Sequence, residues 1–239
     1  MDNKDSADKI NHFILVVVSN TDDRCRTGAL LQQFGYNICT AQTAAEAMGF
    51  LTAARPAGIV TDTGPAGSSL LSRMKKEPGC SDIPVILLSP PSGRESRYRS
   101  GRGDSTACLR TPVKIEELYR VIQSIVESGT RKYIRIATTL PVKLDGEFEG
   151  LVTVLSEDGI FVRARDSRPV KTRLSVSVEI KGRTIDLEAA IQHITLFNEE
   201  PFKKSGMGMK FVKITREDRD FIKAFILEQI DQRAANQTL

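Results

Sequence analysis

The run from His12 to Val18 carries no charged residue and presents apolar side chains to both sides of any extended backbone. Such a run is stable only as a strand covered on both faces, which means a parallel sheet. Comparable runs recur at Tyr36 to Thr40, Ala57 to Thr61, Ile83 to Leu88 and Ala107 to Leu109. Helical patterns separate them. Ala29-Leu30-Leu31 with Phe34 ends at Gly35, Ala44 to Ala54 and Ser69 to Lys76 follow, and Ile115 to Glu127 lines up Leu118, Ile122 and Val126 on one face. Strands alternating with helices force right-handed crossovers. Residues 11–128 are therefore expected to form an α/β domain built on a parallel sheet, after a disordered tail at 1–10.

The pattern changes after Ser128-Gly129-Thr130, which reads as a hinge. Short strands are expected at Thr139 to Leu144, Glu149 to Leu155, Gly159 to Ala164, Leu174 to Ile180 and Met207 to Ile214. Thr184 to Phe197 supplies one or two more. Asp145-Gly146 and Lys181-Gly182 are hairpin turns. Residues 129–239 thus read as a small antiparallel β-barrel followed by a helix. Thr215-Arg216-Glu217-Asp218 opens that helix with a capping pattern. Its stripe of Phe221, Ile222, Phe225, Ile226 and Ile230 packs on the barrel or reaches a second copy, which leaves a homodimer open. Ala234 to Leu239 should fray.

Composition narrows the function classes. No apolar stretch approaches membrane-spanning length, and the polar start, Met1 to Lys9, is no secretory signal. The 4 cysteines lack metal-type spacing, and the 2 histidines, His12 and His193, lie far apart. The expectation is a cytoplasmic protein with reduced thiols and no bound metal. No nucleophile–base pair stands out, so an enzyme is not expected. A net charge of +4 permits an anionic ligand without requiring one.

Arg131-Lys132-Tyr133-Ile134-Arg135 sets two arginines four apart, on the same side of an extended segment. Their guanidinium forks match phosphates and guanine edges. Further on come Ser156-Glu157-Asp158-Gly159-Ile160-Phe161-Val162 and Gly206-Met207-Gly208-Met209-Lys210-Phe211-Val212. Together these segments resemble the PilZ domain family, over Gly129 to Leu239. The resemblance implies a receptor for cyclic di-GMP, with Arg131 and Arg135, aided by Lys132, gripping guanine edges and phosphates. It also implies that Ser156 and Gly159 shape the surface for the other guanine. One position departs from the family pattern. Val154 stands where Asp or Asn is expected. Valine cannot pair with a guanine edge, and an unmet donor costs about 1–3 kcal/mol. That is a ten- to hundred-fold loss in affinity, or loss of binding outright.

The first half resembles the receiver domain of response regulators, over residues 11–128, which implies an α/β flavodoxin-like, doubly wound parallel sheet. The resemblance places a phosphoacceptor at Asp62 and a switch hydroxyl at Ser89. The acidic pair that would hold Mg²⁺ maps to Val18 and Ser19, and the lysine before proline maps to Thr111. With one carboxylate left, Asp62 reads as vestigial in a pseudo-receiver. Pro90 to Gly103 is punctuated by Pro and Gly and carries Arg94, Arg97, Arg99 and Arg102, the makings of a solvated loop or of a DNA-binding arm. The leading expectation is a signalling protein that binds cyclic di-GMP and relays it by domain rearrangement to a protein partner. Nucleic acid is not the expected partner. The alternatives are an interaction adaptor without a ligand and a DNA-binding regulator.

Overall fold

A computed structural model of the chain describes residues 13–90, 106–127, 132–164, 167–197 and 204–236. The N-terminal tail, the hinge Ser128-Gly129-Thr130, Arg131 and the segment with Arg94 to Arg102 lie outside the described residues. The chain divides into two compact units. One holds the described residues up to Lys132 and from Ile230 onward, and the other holds Tyr133–Gln229.

In the first unit, strands β1 (Phe13–Val17), β2 (Asn37–Thr40), β3 (Gly58–Asp62), β4 (Val85–Ser89) and β5 (Thr106–Arg110) form one sheet in the order β2-β1-β3-β4-β5. Every adjacent pair is parallel. Helices α1 (Thr21–Gln33), α2 (Ala44–Ala53) and α3 (Pro65–Met74) follow β1, β2 and β3, and α4 (Ile115–Ile125) follows β5. This is the flavodoxin-like order, in which ligands and reactive groups gather beyond the carboxyl ends of the strands. Leu15, Val17, Ile59 and Leu87 pack with Ala44, Ala47, Leu70 and Met74 on one side of the sheet. Ile14, Val16, Val60 and Ile86 face the other side and are equally buried. Asn20 caps α1 by accepting from the Asp23 amide at 2.9 Å, with Asp22 and Asp23 in the first turn. Helix α3 starts four residues before the expected Ser69, because Pro65 takes the first helical position, where its missing N–H costs nothing.

In the second unit, β6 (Arg135–Leu144), β7 (Phe148–Ser156), β8 (Gly159–Ala164), β9 (Arg173–Ile180), β10 (Arg183–Phe197) and β11 (Lys204–Lys213) close into a barrel, ordered β10-β11-β8-β7-β6-β9. Its interior is filled by Val142, Val152, Leu155, Val162, Val176, Val178, Ile185 and Ile191, each 2% exposed or less. Strand β6 begins at Arg135 rather than Thr139 and absorbs the extra length in a register irregularity between Ala137 and Leu140. Residues 184–197 form one long strand, not two. Helix α5 (Arg216–Asn236) is capped by Thr215, whose hydroxyl accepts from the Asp218 amide at 3.0 Å. Arg183 of β10 ties this cap to the barrel. It donates to Glu217 and Asp218 at 3.0 and 2.7 Å and lies 4.9 Å over the Phe221 ring. The apolar stripe of α5 is buried through Ile222, Phe225, Ile226 and Ile230.

Candidate functional site

The turn between β7 and β8 is built by Ser156, Asp158 and Gly159. Ser156 is 4% exposed, and its hydroxyl lies 3.0 Å from both Asp158 Oδ1 and the Gly159 carbonyl oxygen, either of which can accept its proton. The Asp158 carbonyl accepts from the Phe211 amide at 2.8 Å, and the Glu157 carbonyl accepts from Arg219 Nη1 of α5 at 3.2 Å. Gly159 is required by crowding rather than by a left-handed backbone. A Cβ there would stand 2.4 Å from the Met209 carbonyl oxygen of β11. Sequence reasoning assigned Ser156 and Gly159 but passed over Asp158 and Arg219, which hold the same turn.

Arg135 on β6 lies directly opposite Ser156 on β7. Facing residues of an antiparallel pair have Cα atoms roughly 5 Å apart. Arg135 is exposed, so its guanidinium projects from the barrel beside the turn. Lys132, just before the strand, is also exposed. The structure thus brings Arg135, Ser156 and Gly159 to one end of the barrel, with Lys132 leading into it. The side chain of Val154 is half-buried, opposite Ala137 on one side and Phe161 on the other. Arg135 supplies a charged, forked donor at an open surface, the chemistry that holds phosphate or a guanine edge.

The ends of β1, β3 and β4 form the second candidate site. Asp62 accepts from the Ser19 amide through Oδ2 at 2.6 Å and from the Gly64 amide through Oδ1 at 3.0 Å. The same peptide unit that offers the Ser19 N–H is held from its other side. The Val18 carbonyl accepts from Arg24 Nη1 at 2.8 Å, and Arg24 is 7% exposed. A guanidinium, a peptide group and a carboxylate therefore stand in series, each polarising the next. No sequence pattern marks Arg24, which sits in the first turns of α1 after Asp22 and Asp23. Ser89 donates to the Leu109 carbonyl at 3.4 Å, and Thr111 donates its amide to the Ser89 carbonyl at 2.8 Å.

A receiver's Mg²⁺ site does not fit these residues. Val18 and Ser19 bring no carboxylate, both oxygens of Asp62 accept backbone amides, and a buried cation lies behind the Val18–Ser19 peptide. Among the described residues no group of three His, Cys, Asp or Glu stands close enough to hold a metal. Cys25, Cys39, Cys80 and Cys108 are free thiols. No described helix is long and apolar enough to cross a membrane.

Comparison with known proteins adds to this geometry. Residues 129–228 match the PilZ domain family. None of the curated proteins compared matches the chain. Among solved structures, the chain is similar to the inhibitor of motility MotI/DgrA of Bacillus subtilis, at 24% identity over 45% of this chain and 52% of that one, with a TM-score of 0.37. The chain thus spans about half the length of that protein (52%). It is also similar to the signal receiver domain of a histidine kinase from Syntrophus aciditrophicus, at 26% identity over 50% of this chain and 93% of that one, TM-score 0.42. A third likeness is to the PilZ domain of YcgR from Escherichia coli, solved with cyclic di-GMP, at 12% identity over 45% of this chain and 95% of that one, TM-score 0.36. The chain thus joins an α/β domain of flavodoxin-like strand order to a C-terminal region, residues 129–228, that matches the PilZ domain family.

Proposed function

We propose that the barrel binds cyclic di-GMP, and that the protein is a non-enzymatic signalling receptor for it. One observation carries this reading: Arg135 and Ser156 face each other on adjacent strands, with Gly159 closing the same turn. Arg135, with Arg131 and Lys132 just before it in sequence, supplies the charged donors for phosphate and guanine edges. Ser156 and Gly159 act through the turn they hold, since the Ser156 hydroxyl is engaged within it. Asp62 is not a phosphoacceptor on this reading, because its carboxylate is committed to two amides.

The test is calorimetric titration of cyclic di-GMP into the intact protein, beside an Arg131→Ala/Arg135→Ala variant. Micromolar or tighter binding that disappears in the variant supports the proposal, and no binding by the wild type rejects it. The output is a change in domain arrangement that a protein partner reads. Arg131 and Arg135 directly follow Ser128-Gly129-Thr130 in sequence, which links a ligand held by them to the segment that joins the two domains. A small-angle scattering profile unchanged by saturating ligand would reject this relay.

Val154 favours a second reading, an interaction adaptor that has lost its ligand. The substitution Val154→Asp should then create binding where the wild type has none. Failure to gain any would show that Val154 is not the defect.

A further inference from the structure

A row of residues crosses five strands of the barrel: Ala137 on β6, Val154 on β7, Phe161 on β8, Gly208 on β11 and His193 on β10, each paired with the next. Their chain neighbours Leu155, Ile160, Val162, Met207 and Met209 are buried in the interior, so the row faces outward. His193 reaches that face through a register irregularity. Simple alternation would put it inside with Ile191, but the pairing slips between Ile191 and His193, and both Gln192 and His193 are exposed.

The His193 ring then lies down on β11. A Cβ on Gly208 would stand 2.0 Å from its Cε1 and 2.5 Å from its Nε2, so only glycine leaves room for the imidazole. The Phe161 ring lies beside it, with centroids 5.9 Å apart and planes at 33°. The result is a shallow floor of Val154, Phe161 and the imidazole, with Arg135 at its near edge. Phe161 is two strands from β6, about 10 Å at ordinary strand spacing, a span that a cyclic dinucleotide bridges.

We propose that this floor stacks one purine base of the cyclic dinucleotide, a role that rests on the function proposed above. Arg135 holds the phosphate and one guanine edge. The second base lies flat across Val154, Phe161 and His193 instead of pairing with an Asp or Asn at position 154. Stacking on an aromatic ring tolerates any planar base. It therefore replaces edge recognition with weaker discrimination between guanine and adenine.

Because the chain holds only 2 histidines, the imidazole C–H signals of the intact protein are few, and a His193→Ala variant assigns them. Titration with cyclic di-GMP should shift the His193 signals upfield and leave those of His12 in place. Calorimetry on His193→Ala and Phe161→Leu should show affinity reduced by on the order of tenfold each, with circular dichroism spectra like the wild type. Binding by the wild type without movement of the His193 signals, and with both variants binding equally well, overturns the stacking floor alone. No binding of cyclic di-GMP by the wild type overturns the proposed function and the floor with it.

Discussion

The two strand-end sites of this chain use their marked residues in the same way, yet the consequences are opposite. Asp62 is tied to the Ser19 and Gly64 amides, and Ser156 is tied to Asp158 and Gly159. Phosphoryl transfer needs the carboxylate itself, together with a metal to neutralise the incoming charge. On the function proposed above, internal bonds hold both oxygens of Asp62 away from that chemistry. Nucleotide binding on the barrel needs a shaped surface with a charged donor beside it, and internal bonds at Ser156 make that surface rigid. The lesson is that an engaged side chain is lost to chemistry but useful to recognition.

The sharpest way to break the contrast is at Gly159. Its absent Cβ would meet backbone, which cannot rotate away. Gly159→Ala should destabilise the barrel by about 2–3 kcal/mol, read by denaturant unfolding. A neutral result would mean that the turn is plastic and shapes nothing.

In the α/β domain, Asp62→Asn weakens two charge-assisted bonds and should cost about 1–2 kcal/mol. The peptide-bridged series predicts that Arg24→Met and Asp62→Asn are not additive. A double-mutant cycle should show coupling of about 0.5–1 kcal/mol. Additive effects would show that the two charges are independent. At the barrel, Arg135→Ala should leave stability within about 0.5 kcal/mol, as expected for an exposed side chain, while removing most of the affinity for cyclic di-GMP. A large stability loss would make Arg135 a structural residue.

The smallest effect concerns Tyr36, which is 5% exposed. Burial, then its hydrogen bond to the Glu127 carboxylate, holds the phenol well above its ordinary pKa. Neutral Tyr36 therefore stabilises the fold fully below about pH 10, the unfolded value. Stability falls as pH rises past that point, because the unfolded phenol ionises first. Unfolding curves between pH 9 and 11 should steepen this loss in the wild type relative to Tyr36→Phe.

Much of the fold was legible because burial writes itself into sequence. The parallel strands follow from apolar runs such as Ile14 to Val18, and the barrel from alternation such as Leu174 to Ile180. The start of β6 was missed because Arg135 reads as part of a linker, whereas Ile136, its neighbour, is 4% exposed and fixes the strand. At the site, Arg135, Ser156 and Gly159 were legible as a motif. Arg24 was not, since its partner is a backbone carbonyl that no sequence pattern marks. His193 was not either, because its outward direction depends on a slip in strand pairing, and its contact with Phe161 on the strand across β11 that lies between them.

The most direct measurement is amide hydrogen exchange on the intact chain with and without cyclic di-GMP. The account predicts added protection in peptides covering 131–137, 154–161 and 206–209, and none in those covering 17–24 and 61–64. Protection of the Asp62 segment with none in the barrel would contradict it.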